Sequence, residues 1–122
     1  MSNSRQKGKV PNSRRKGKRG ELEIAHILKE RGYDARRGQQ FSGANGDADV
    51  VGLPGFHLEV KRVEHLNIDK AMEQSKRDAR EREIPVVVHR KSQKEWLVTM
   101  SFTQFLEQLS VKEQQESGDV LR

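Results

Sequence analysis

Apolar residues recur at helical spacing over residues 19–31, where Leu22, Ile24, Ala25, Ile27 and Leu28 run up to the stop signal Gly32. Positions 24, 25 and 28 mark the inward stripe. Glu21 falls on that stripe one turn earlier, and Glu23 points roughly the opposite way. The pattern then changes period. Residues 33–37 read as a short strand, 38–46 as a polar, glycine-bearing loop, and 48–52 as a second strand. A turn follows at Leu53-Pro54-Gly55. Over 56–62 the alternation is strict: Phe56, Leu58 and Val60 on one face, His57, Glu59 and Lys61 on the other. Asn67 is placed to cap a helix over 68–83 with a narrow apolar side at Ile68, Ala71, Met72 and Ala79. Residues 84–90 form a fourth strand whose Val86-Val87-Val88 run predicts burial on both faces. A fifth strand is expected over 95–100. Ser101 with Gln104 makes a capping box for a last helix striped by Phe102, Phe105, Leu106 and Leu109, with a polar, frayed end from about 111. The order α-β-β-β-α-β-β-α predicts an α/β fold with helices around one mixed sheet of about five strands.

Composition narrows the function classes. The chain of 122 residues suits one domain, and at 32% hydrophobic residues its core must be small. Net charge is +6, but eight basic and no acidic side chains fall in the first twenty residues, leaving sixteen basic against eighteen acidic in the rest. The excess therefore sits in an arm over 1–18, followed by a folded domain over 19–110 and a polar tail over 111–122. Such an arm is drawn to a polyanion by counterion release, although a solubilising tail would have the same composition. The absence of cysteine excludes disulfides and thiolate metal sites. No apolar run is long enough for a bilayer, and no secretory signal is present, so a cytoplasmic protein without membrane association is expected. Without a P-loop, no nucleotide cofactor is expected.

The chemistry-bearing residues lie around the third strand. The turn over 52–55 folds the second and third strands into a hairpin that brings Asp49 near Glu59. Two carboxylates at that range repel, and a divalent cation relieves the repulsion. Oxygen donors suit Mg²⁺, with Mn²⁺ as a substitute. Lys61 emerges on the same face as Glu59 and adds positive charge for a phosphate. Glu21 is placed to reach the same cation or its water shell. A solvated salt-bridge face would also account for Glu59 and Lys61, and a first-turn acid favouring the helix dipole for Glu21. The loop before Asp49 and the apolar face behind Glu59 favour the catalytic reading.

Asp49-Val50-Val51-Gly52 followed by Leu58-Glu59-Val60-Lys61 resembles the PD-(D/E)xK nuclease signature. Together with the helix Gly20-Glu21-Leu22-Glu23-Ile24-Ala25-His26-Ile27-Leu28, it is similar to the archaeal-type Holliday junction resolvases and their phage relatives, over roughly residues 16–100. The resemblance implies a restriction-endonuclease-like fold and one metal site built from Glu21, Asp49, Glu59 and the Val60 carbonyl, with Lys61 as catalytic lysine. It also implies branched or duplex DNA as substrate and a homodimer, since two symmetric incisions call for two sites. Ala48 stands where the signature has proline, and the loop between Arg37 and Asp49 is longer than in the archaeal enzymes. Glu23 remains a rival to Glu21 for the helix acid. Arg15, Lys16, Lys18, Arg19, Arg36, Arg37 and Ser42 suit phosphate contacts, and Gln74 is a supporting candidate on the second helix. His57 shares the Glu59 face with a lesser claim on catalysis, and Asp47 suits a supporting or loop-capping role. Trp96 suits the core or a dimer contact. A nicking or restriction-like endonuclease, and a non-catalytic DNA-binding protein, are the competing readings.

Overall fold

The alternation in the third strand requires cover on its apolar face, and in the structure helices cover both faces. The computed structural model describes residues 17–39 and 48–120, with side chains to residue 116. Strand β1 is Arg36–Arg37, β2 is Val50–Val51, β3 is Phe56–Arg62, β4 is Ile84–Arg90 and β5 is Leu97–Thr99. They form one sheet in the order β1-β2-β3-β4-β5. Only β3 and β4 are parallel; the remaining pairs are antiparallel. Helix α1 is described over 17–30, α2 is Ile68–Asp78 and α3 is Phe102–Val120. The expected α/β fold, with a mixed five-stranded sheet and helices in the predicted order, is the one observed.

Helix α1 seals the Leu58 and Val60 side. Ile24 and Ala25 join Val50, Leu58, Val60, Val86 and Val88 in the buried core. Gly20 lets the helix pass close to the sheet, since a Cβ there would sit 3.2 Å from the Arg62 Cβ. Helix α2 covers the other side with two small residues, Ala71 and Ser75. The Ser75 hydroxyl donates to the Val86 carbonyl at 3.0 Å, so this buried polar group is satisfied. His57, Glu59 and Val87 are therefore enclosed beneath α2, and Val87 has no exposed surface. The triple-valine run is buried on both faces, as its composition demanded.

Several boundaries differ from the pattern. β1 and β2 are shorter than the expected 33–37 and 48–52, and β5 is shorter than 95–100. α2 stops at Asp78 instead of reaching 83. Ala79 turns extended (φ −64°, ψ 139°), and the Glu83 carboxylate accepts from the Arg80 amide at 2.8 Å, closing a tight turn before β4. At its start Asn67 accepts from the Lys70 amide at 3.1 Å, as a cap should. Ser101 caps α3 in the same way, accepting from the Gln104 amide at 3.2 Å. That helix is described to Val120, across the segment from about 111 that the pattern marks as polar.

The hairpin turn depends on Gly52, whose φ is +108°. A Cβ there would collide with the Asp34 carbonyl oxygen and the Ala35 Cα, because the turn is laid against the chain entering β1. Gly52→Ala should therefore cost about 3 kcal/mol, combining backbone strain with that collision. Gly55→Ala, at φ +82° with open space around it, should cost only about 1 kcal/mol. Urea unfolding of the two variants measures the difference, and equal losses would contradict the close approach.

Candidate active site

The site begins where the β2–β3 ladder stops. Val50 pairs with Leu58, and the Asp49 amide donates to the Leu58 carbonyl at 3.0 Å. The next β3 amide, that of Val60, donates to the Asp49 side-chain oxygen Oδ2 at 2.8 Å. A carboxylate thus occupies the place of a backbone acceptor, and the strands part beyond it. The Asp49 carbonyl is held in turn by the Gly38 amide at 2.9 Å. Backbone bonds on both sides therefore fix the direction in which this side chain leaves the sheet.

Glu59 follows on β3 and comes within hydrogen-bonding reach of the Asp49 carboxyl, while Glu21 adds negative charge from α1. The Asp49 pKa is pushed up to about 7. Burial is the largest cause, followed by the charge of Glu59. The Val60 hydrogen bond opposes them, and the bond to Glu59 and the charge of Glu21 add smaller increases. Without a cation, a proton near neutrality is what allows these carboxylates to stand together.

Glu59 is almost fully enclosed, with 3% of its surface exposed. Its Oε1 lies 2.8 Å from His57 Nε2, and His57 Nδ1 lies 3.7 Å from Glu83 Oε1. Burial alone would lower the His57 pKa. The Glu59 hydrogen bond and the charges of Glu59, Glu83 and Asp78 outweigh it and leave the pKa raised. His57 thus holds the orientation of Glu59, a role that its place on the same strand face did not reveal in the sequence.

The two helix acids are separated by their partners. Glu21 Oε1 accepts from Arg37 Nε at 2.8 Å and lines one open depression of about 580 Å³ with Asp49, Val60 and Lys61. Glu23 accepts from Trp96 Nε1 at 3.1 Å and faces Arg62 and Arg90 at 3.6 and 3.4 Å. It ties α1 to the far half of the sheet, and Trp96 packs partly buried against the core. Arg36 is exposed beside Arg37, and Lys18 and Arg19 are exposed on the first described turn of α1. Gln74 is half-buried on α2, and no hydrogen bond among the described residues joins it to the carboxylates. Arg15, Lys16, Ser42 and Asp47 lie outside the described residues.

The donor set fits a hard divalent cation. Among the described residues no three acidic or histidine side chains are already gathered as a closed metal site. Glu59 is turned partly toward His57 and Glu21 toward Arg37. Magnesium needs no such cage, because it retains several waters and takes one or two carboxylates. Asp49 and Glu59, two carboxyl groups within hydrogen-bonding reach of each other, offer that number.

A family model described as "Phage putative PDDEXK endonuclease" matches residues 12–119. No curated protein and no solved structure matches the chain.

Folding stability should carry the signature of this cluster. Asp49 and His57 both have folded pKa values raised above their unfolded ones. The stability they contribute is complete below the unfolded values and is lost as pH rises through the folded values. Metal-free protein should therefore melt lower as pH rises from about 4 to about 8. Asp49→Asn keeps an acceptor for Val60 but removes the charge. It should raise the metal-free melting temperature at about pH 8 by a few degrees. A variant less stable than the parent under those conditions would contradict the crowding of carboxylates.

Proposed function

The chain belongs to this family of phage PDDEXK endonucleases, and from that premise we propose that it is a Mg²⁺-dependent, structure-selective DNA endonuclease that resolves four-way junctions. The observation that carries the reading is the Asp49 carboxylate standing in for a ladder carbonyl, beside Glu59 and within the electrostatic reach of Glu21. Asp49, Glu59 and the Val60 carbonyl would hold the cation, with Glu21 acting on it or on its water shell. When bound, the cation supplies Lewis acidity toward the phosphodiester and toward water.

The chain's own residues do the rest. Lys61 brings a fixed positive charge to the depression that Asp49 and Glu21 line, where negative charge builds on the phosphate. His57 keeps the Glu59 carboxylate from rotating, so the site is organised before DNA arrives. Arg37 restrains Glu21 and, with Arg36, Lys18 and Arg19, offers cations to the backbone phosphates on either side of the scissile bond. The basic arm, with Arg15 and Lys16, adds affinity that does not depend on sequence. Two incisions across a junction require two sites, and a homodimer provides them. The junction preference rests on the resemblance of the helix around Glu21 and the strand motif to junction resolvases. The family description itself specifies only an endonuclease.

The deciding comparison is cleavage of a four-way junction against linear duplex of matched sequence. Symmetric nicks on the junction, dependent on Mg²⁺ or Mn²⁺ and abolished by excess chelator, are expected. Calcium should support binding without efficient cutting. Equal cutting of both substrates would replace the junction reading by a nicking or restriction-like endonuclease, and cutting in chelator would end the metal reading. Deleting residues 1–15 should weaken DNA affinity and flatten its salt dependence, measured by fluorescence anisotropy across a salt series. An unchanged slope would remove the arm from the interface.

A further inference from the structure

Helix α3 has an apolar stripe that is left exposed among the described residues. Phe102, Phe105, Leu106 and Leu109 recur at the spacing of one helix face, and all four are exposed, Phe102 by 72%. The residues of α3 that are partly covered are the glutamines 104 and 108, on another side of the helix. The stripe thus faces away from the sheet that α3 leaves. The Ser101 cap fixes that direction at the root, through the Gln104 amide on its hydroxyl and the Phe105 amide on its carbonyl.

The same chain also presents an apolar groove of about 220 Å³ between α1 and β5, lined by Ile24, Ile27, Leu28, Leu53, Val98 and Met100. β5 is an edge strand, and its Leu97 and Val98 are exposed. We propose that α3 is the association arm of a symmetric homodimer, with its Phe102–Leu109 stripe seated in the α1–β5 groove of a second copy. The assignment deepens the two-site reading above and rests on it only for the use of the dimer.

Three observations favour a second copy as the occupant. A stripe and a groove of matching apolar character lie on one chain, so two copies about a two-fold axis can each seat a stripe in the other's groove and close the contact at a dimer. Four large side chains at these exposures offer on the order of 400 Å² per helix. With the groove side included and both reciprocal contacts counted, the total is on the order of 1,000 Å², the least that a specific interface buries. Charge points the same way: α3 carries four acidic residues against one lysine, which disfavours DNA.

The chain has no cysteine, so single thiols can report the contact. Full-length Ile27→Cys and Phe105→Cys proteins are treated with a short bis-maleimide in the absence of DNA and divalent cation, separately and mixed. The mixture should give several-fold more covalent dimer than either protein alone. Phe105→Glu, a change at an exposed position, should sediment as a monomer where the parent sediments as a dimer, with an unchanged far-ultraviolet circular dichroism spectrum. A mixture that links no better than its components would overturn the proposal. So would an Ile27→Cys/Phe105→Cys chain that closes its link within a monomer, which would mean that α3 folds back on its own groove. A monomeric parent would overturn it too and leave the stripe to a different protein. None of these readouts involves cleavage, so a failed dimer and a failed nuclease are told apart.

Discussion

A single substitution of partners organises this molecule: the Val60 amide gives its hydrogen bond to the Asp49 carboxylate instead of to a strand carbonyl. A β-ladder that continued past Leu58 would satisfy the same amide and leave a flat, unreactive sheet. By ending the ladder with a side chain, the chain opens β2 from β3 and sets an acid in the gap. The acid cannot swing away without leaving a buried amide unpaired, which costs about 1–3 kcal/mol. The tight Gly52 turn, the α1 contact through Gly20 and the α2 lid over Glu59 all serve to keep that gap in place.

The surroundings make the gap electrostatically costly, and the cost is consistent with a cation site. Burial and two further carboxylates push Asp49 toward protonation at neutral pH. The nearest counter-charges are already committed: His57 to Glu59 and Arg37 to Glu21. These partners preserve the orientation of Glu59 and Glu21 beside Asp49, while Asp49 lines the depression that it shares with Lys61. Sites that store strain of this kind are commonly functional.

Much of this was legible in the sequence. The alternation over 56–62 placed β3 residue by residue, the valine run identified β4 as the doubly covered strand, and helix phase put Glu21, rather than Glu23, on the inward face. What the pattern missed has physical reasons. His57 and Glu59 read as a polar, solvent-facing row, because the cover that buries them consists of Ala71 and Ser75, residues too small to announce a packing face. The early end of α2 depends on a side-chain bond from Glu83 to the Arg80 amide, which periodicity does not register. The stripe on α3 was visible as apolar, but not that its own sheet would fail to cover it. The basic run over residues 1–16 lies outside the described residues, and α3 carries four acidic side chains against one lysine.

The account rests on a divalent cation held jointly by Asp49 and Glu59. Crystals of the full chain soaked in Mn²⁺ test this directly through the anomalous difference map at the manganese edge. The account predicts a peak bonded to both carboxylates, beside the Val60 carbonyl, with its remaining positions open to solvent. A strong peak elsewhere, or none at this site with Asp49 still bound to the Val60 amide, would contradict it.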